Sequence, residues 1–167
     1  MLRTTKKLTL VFPFRKEEGR ILLGMKKRGF GAGKYNGFGG KVEGSETIEE
    51  GAVRELVEEC SLVASLLCKH GIINFKQVHL PDETAEVHVY VCSEWTGDPI
   101  ETEEMQPQWF EIKDIPFDMM WPDDRIWLPR FLEGAYFRAT FSFDEQNKTI
   151  LDYCLEELPA APEAPPL

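Results

Sequence analysis

The stretch from Gly37 to Leu62, GFGGKVEGSETIEEGAVRELVEECSL, constrains the chain most, because a glycine-rich loop runs directly into an acidic helix. Thr47 and Glu50 have the spacing of a capping box, in which the threonine hydroxyl accepts from a first-turn amide and the glutamate reaches back to the cap. A helix therefore starts at Ile48. At about 100° per residue, Ile48, Ala52 and Leu56 share one stripe with Val53 and Cys60 at its edge, and that stripe faces the core.

Glu55, Glu58 and Glu59 stand at i, i+3 and i+4 on a neighbouring face, where Gly51 adds no side chain to crowd them. Three carboxylates on one face converge on a small volume and repel by roughly 0.2 to 0.5 kcal/mol per pair in an isolated helix. A bound cation reverses that sign, and carboxylate oxygens suit hard ions such as magnesium, manganese or calcium. The same spacing also describes a solvated acidic face, so the pattern alone leaves both readings open.

At 167 residues and 43% hydrophobic content, the chain is long enough for one domain with a core and short for two. The reading is a single domain over residues 1–158, followed by a Pro/Ala-rich tail over 159–167 with the composition of disorder. A formal net charge of −10 argues against a surface that holds a DNA or RNA polymer, which needs clustered Lys and Arg. An anionic small molecule then needs metal ions as intermediaries.

Cys60, Cys68, Cys92 and Cys154 lack a C-x-x-C pair and a companion His cluster, so they read as buried free thiols in a reducing compartment. No apolar run approaches the roughly 18 residues of a membrane span. The basic, acid-free first residues permit a mitochondrial presequence, but they also read as a first strand, and the strand is favoured. The protein is read as a cytoplasmic monomer with no membrane partner, mitochondria and nucleus standing as further compartments.

Residues 8–14, LTLVFPF, and 20–25 read as strands of an opening hairpin. Between them and the helix lies KKRGFGAGKYNGFGG, with glycine at 29, 31, 33, 37, 39 and 40. Such a loop lets backbone approach a ligand closely, and Lys26, Lys27, Arg28 and Lys34 supply charge for phosphates. Residues 65–75 and 85–93 read as strands joined by a loop near Pro81-Asp82-Glu83, and His88 inside the second reads as structural. The acidic cluster 101–104 precedes a strand at 109–112 and can send a glutamate toward the acidic helix from outside it. Within 118–134 an apolar helix carries Ile126, Trp127, Leu128, Phe131 and Leu132, with Pro122 in its first turn. Residues 139–143 and 149–155 alternate around a turn and close the domain as a hairpin. The architecture is α/β (α+β): a mixed sheet with two principal helices packed on it.

The register of Gly40, Glu46, Arg54-Glu55-Leu56, Glu58-Glu59 and Leu62 resembles the Nudix box. It departs where Ser61 stands in place of glycine, which in a left-handed helix end costs serine on the order of 1 kcal/mol. Beyond the box, LLGMKKRGFGAGKYNGFGGKV, EVHV, EEMQPQWF and IPFDMMWPDD resemble one Nudix branch, the oxidised purine nucleoside triphosphate hydrolases, or 8-oxo-dGTP diphosphatases. The resemblance implies a Nudix fold, a mixed β-sheet sandwiched between α-helices. It implies magnesium-dependent hydrolysis, with manganese substituting, of substrates such as 8-oxo-dGTP and 2-oxo-dATP to the monophosphate and pyrophosphate. That activity sanitises the nucleotide pool and prevents mutagenic incorporation into DNA.

By motif position the resemblance assigns metal ligation to the Gly40 carbonyl, Glu55, Glu58, Glu59 and Glu104. Arg54 orients a box glutamate, and Glu59 is the general base with Glu104 its rival. Water attacks a phosphorus of the triphosphate while metal ions offset charge on the attacking and leaving oxygens. The base pocket it implies is Thr9, Lys26, Phe30, Asn36, Phe75, Trp121, Asp123 and Asp124.

Each pocket residue also has a plainer role: Phe30 and Trp121 as core aromatics, Asp123 and Asp124 as helix N-terminal acids. If the two aspartates are buried together, one carboxyl is protonated and donates while the other accepts, and exchanging those roles admits both oxidised guanine and oxidised adenine. The chain departs from the branch at Tyr35, Gln77 and Ala85, where tryptophan, phenylalanine and methionine are expected, and in the loop 76–83. Other Nudix substrates (a sugar nucleotide, dinucleoside polyphosphate or methylated purine triphosphate) and a catalytically silent nucleotide-binding module are the alternatives.

Overall fold

The structure, a computed structural model, describes residues 2–159, so the tail expected from Pro159 lies outside the described residues beyond its first position. The chain runs β1 (Thr4–Arg15), β2 (Arg20–Lys26), β3 (Tyr35–Asn36), α1 (Ile48–Cys60), β4 (Val63–Gln77), β5 (Leu80–Thr96), β6 (Met105–Glu111), α2 (Asp124–Leu132), β7 (Tyr136–Phe143) and β8 (Ile150–Leu158). The strands order as β3-β2-β1-β5-β4-β7-β8, with β6 on β2, in one mixed sheet.

The opening hairpin exists only at its tip. β1 shares Phe14↔Ile21 and Arg15↔Arg20 with β2, while its length pairs in parallel with β5 from Thr4↔Glu83 to Pro13↔Cys92. β2 pairs along its whole length with β6 instead. That long β1–β5 register corrects the loop expected near Pro81-Asp82-Glu83: Glu83 is held in strand by Thr4, and the turn is confined to Val78 and His79. The closing hairpin forms as expected, Tyr136↔Leu158 to Phe143↔Ile150.

Alternation along β1 separates two cores. Val11 joins Leu22, Phe38, Leu67 and Tyr90 under Ala52, Leu56 and Cys60 of α1. Phe12 joins Leu23, Ile73, Phe137 and Phe141 under Trp127, Leu128 and Phe131 of α2. The sheet therefore lies between the helices, as predicted. α2 is shorter than the apolar run suggested, and Pro122 stands ahead of the N-cap Asp123 rather than in the first turn.

α1 starts where the capping box places it: Glu50 N donates to Thr47 Oγ1 at 3.1 Å and Thr47 N to Glu50 Oε2 at 2.7 Å. It ends at Ser61, held left-handed at φ 65°, with its amide donating to the Val57 carbonyl at 2.9 Å. Ser61→Gly should therefore stabilise the fold by on the order of 1 kcal/mol, a rise in Tm of about 2–4 °C by calorimetry. An unchanged Tm would mean that the serine relieves its own strain.

His88 is buried with Nε2 2.7 Å from Glu86 Oε1, the packed role expected of it. All four cysteines are free, but only Cys60 and Cys92 are buried; Cys68 and Cys154 are exposed, a correction. Strand register rather than residue type decides this, since Cys154 lies on the edge strand β8, most of which is exposed. Among the described residues no helix is long and apolar enough to cross a membrane.

Candidate active site

Gly39 and Gly40 seal the glycine-rich loop against β1, with Thr9 N donating to the Gly40 carbonyl at 2.9 Å and Val11 N to that of Phe38 at 2.7 Å. A Cβ on Gly39 would stand 1.8 Å from the Thr9 carbonyl oxygen, and one on Gly40 2.5 Å from Glu55 Oε1. At Gly39 the clash is with backbone, so only glycine allows this approach there. Gly39→Ala forces backbone apart, so urea unfolding should show a loss of at least about 3 kcal/mol. A loss below 1 kcal/mol, roughly the scale of an ordinary surface change, would contradict the close packing.

Gly39 N donates to Glu59 Oε2 at 3.3 Å. Glu59 is buried, and burial, reinforced by the neighbouring Glu55 charge, pushes its carboxyl up to about 8. Glu55 is also raised by burial, with Arg54 working against the shift. Arg54 is the organiser of this end of α1: it donates to Glu46 at 3.0 and 2.7 Å, to Glu55 at 3.1 Å, to Glu58 at 3.2 Å and to the Lys41 carbonyl at 3.0 Å. Its hydrogen bonds hold the Glu46 carboxyl down at about 2. The space beside Gly51 is taken by Glu46, since a Cβ there would meet Glu46 Oε1 at 3.1 Å, rather than by the three helical carboxylates.

The expected convergence of those carboxylates is incomplete. Glu58 leans to Arg54, and Glu104 accepts from Arg28 Nε and Nη2 at 3.1 and 2.8 Å. Among the described residues no three His, Cys, Asp or Glu are gathered to hold an ion. The physical reason is plain: each exposed carboxylate has taken the nearest guanidinium. The donor chemistry nevertheless fits a hard divalent ion. Glu55 and Glu104 both act on the buried Glu59 as like charges, and the donors are all oxygen. For Glu58 and Glu104 to reach an ion beside Glu59, they would have to leave Arg54 and Arg28.

Beside the loop opens a cavity of about 390 Å³, within the range of small-molecule sites. Thr9, Lys26, Phe30, Asn36, Phe75, Trp121, Asp123 and Asp124 all line it, with Gly40 on the same wall. Of the four loop cations only Lys26 and Lys34 reach it; Lys27 is tied to Glu101 at 2.8 Å and Arg28 to Glu104. Phe30 stacks on Trp121 with ring centroids 5.0 Å apart, and Lys34 Nζ lies 5.2 Å from the Trp121 ring centre. Asn36 Oδ1 accepts from Gly37 N at 2.8 Å, which leaves its amide NH2 to donate. The Thr9 hydroxyl is buried without a partner.

Asp123 and Asp124 stand at the N-terminus of α2, Asp123 as its N-cap and Asp124 in the first turn, as their plainer reading has them, but both are buried. Asp123 Oδ2 accepts from Trp127 Nε1 at 2.8 Å and Asp124 Oδ2 from Trp121 N at 3.1 Å. Burial raises Asp123 to about 6; burial and the Asp123 charge push Asp124 well above the usual carboxylate range. Two carboxyls buried side by side resist ionising together, and such a pair sharing a proton offers one donor and one acceptor. Lys6, Leu80 and Asn147 also line the cavity and carried no local signal, because only strand register brings them there.

The chain is 48% identical over 157 residues to the oxidized purine nucleoside triphosphate hydrolase of Mus musculus, covering 94% of this chain and 98% of that protein. It is 47% identical over 155 residues to the protein of the same name from Danio rerio, covering 93% and 97%. Among solved structures, the MutT protein of Bacillus halodurans shares the fold with a TM-score of 0.76 at 21% identity, over 90% of this chain and 97% of that one. The family model for the NUDIX domain matches residues 5–131, and the chain accordingly belongs to the NUDIX domain family.

Proposed function

We propose that this protein hydrolyses oxidised purine nucleoside triphosphates, such as 8-oxo-dGTP and 2-oxo-dATP, to the monophosphate and pyrophosphate, and so clears damaged nucleotides before polymerases use them. The observation that carries the reading is the buried Asp123–Asp124 pair facing the same cavity as Asn36 and Trp121, next to the loop that positions Glu59. The names of the mouse and zebrafish relatives support it.

In this account Trp121 stacks on the purine, while Asn36 and the aspartate pair read its polar edge. Lys26 and Lys34 draw the triphosphate toward the glycine-rich loop. Glu59 accepts the proton of the attacking water, and Arg54 fixes Glu55 and Glu58 on the helix. NUDIX hydrolases use a divalent metal ion; magnesium, with manganese substituting, held by the Gly40 carbonyl, Glu55, Glu58, Glu59 and Glu104, would activate that water and offset phosphate charge. The protein acts on this small nucleotide as a monomer.

Product analysis tests the reaction type. With magnesium, 8-oxo-dGTP should yield equimolar monophosphate and pyrophosphate, and EDTA should stop it. Release of inorganic phosphate and a diphosphate instead would refute the reading.

A further inference from the structure

We infer that the cavity has a second compartment, over Ala85, which accepts a short anionic substituent carried by the purine; this rests on the purine reading above. On the cavity side the strands align Lys6, Ala85, Phe75 and Phe141 in one row, and Leu8, Val87, Ile73 and Ala139 in the next. In the outer row Ala85 is a lone methyl between the Lys6 side chain and the Phe75 ring, which leaves a notch in the cavity wall.

The rim of the notch is polar. Gln77 Nε2 donates to Asn147 Oδ1 at 2.5 Å, and Lys76 lies beside them. Lys6 is 3.4 Å from Glu83, whereas Lys76 has no acidic partner within ion-pair distance among the described residues. The residues lining this end, Lys6 and Lys76 against Glu83, carry a net positive charge, while the deep end holds Asp123 and Asp124. A carboxylate on the purine is therefore repelled from the aspartates and drawn to the lysines, which orients the ring. The cavity of about 390 Å³ is of the size that holds drug-sized ligands, more than a bare purine fills.

The probes are dGTP carrying a carboxyethyl group on its exocyclic amine or on its imidazole carbon, the two uncharged ethyl counterparts, and 8-oxo-dGTP, compared by kcat/KM. At least one carboxyethyl compound should be turned over within about tenfold of 8-oxo-dGTP and faster than its ethyl counterpart. Ala85→Met, its fold checked by thermal melting, should lower the ratio of carboxyethyl compound to 8-oxo-dGTP by about tenfold or more. Lys76→Gln, on the exposed rim, should erase the preference for carboxyethyl over ethyl. Turnover of 8-oxo-dGTP with neither carboxyethyl compound accepted, or ratios that both variants leave in place, would overturn the compartment. Turnover of a carboxyethyl compound without 8-oxo-dGTP would uphold the compartment and refute the oxidised-purine reading instead.

Discussion

Glu59→Gln should lower kcat by on the order of a thousandfold while the fold is kept, and the metal-free protein should melt no lower than the wild type. The substitution keeps an acceptor for the Gly39 amide and removes a carboxyl that is costly to ionise where it sits, its affinity for the proton already raised to about 8. What it removes is the group able to take a proton beside the candidate metal ligands. Glu58→Gln provides the contrast: that side chain is exposed on the helix surface and held by Arg54, so its loss should cost nearer tenfold. If Glu59→Gln keeps more than about a tenth of wild-type turnover and Glu104→Gln does not, the base is Glu104 and the assignment is wrong.

Asp124→Asn should change both base choice and pH response. In the folded chain burial makes both aspartates hold protons more tightly than the ordinary value of 3.8 implies, Asp123 up to about 6 and Asp124 also well above that ordinary value. The stability they contribute is therefore fully present below about pH 3.8 and is lost as pH rises through about 6 and beyond. An amide at 124 cannot ionise, so the decline of Tm with pH should flatten and Tm at pH 8 should rise. The amide also ends the exchange of donor and acceptor roles within the pair. The ratio of kcat/KM for 8-oxo-dGTP to that for 2-oxo-dATP should then shift by about tenfold or more. Equal losses on both substrates, with the pH dependence of Tm intact, would reduce the pair to a structural feature.

The parts legible from sequence were those decided within one or two turns of chain. The capping box at Thr47 and Glu50 and the stripe through Ala52, Leu56 and Cys60 are local, and α1 forms as they direct. Strand lengths were less legible, since β5 takes in Pro81 to Glu83 and Glu83 is paired with Thr4 of β1, a partner many residues away. Sequence placed all eight residues of the expected base pocket in one cavity, because the resemblance carried their spatial relation. The resemblance led to Arg54 pairing with a box glutamate, as it does with Glu55 and Glu58, but nothing in the sequence revealed that Arg28 holds Glu104, because an ion pair across two loops depends on side-chain reach rather than spacing. Lys6 and Asn147 escaped for the same reason: they meet at the cavity only through the register of β1, β5, β4 and β7.

The most direct test of the whole account is the ratio of kcat/KM for 8-oxo-dGTP to that for dGTP with saturating magnesium. The aspartate pair and Asn36 predict a preference for the oxidised base of about tenfold or more, lost in the Asp124→Asn variant. Equal turnover of the two nucleotides, or faster hydrolysis of a sugar nucleotide than of either, would contradict it.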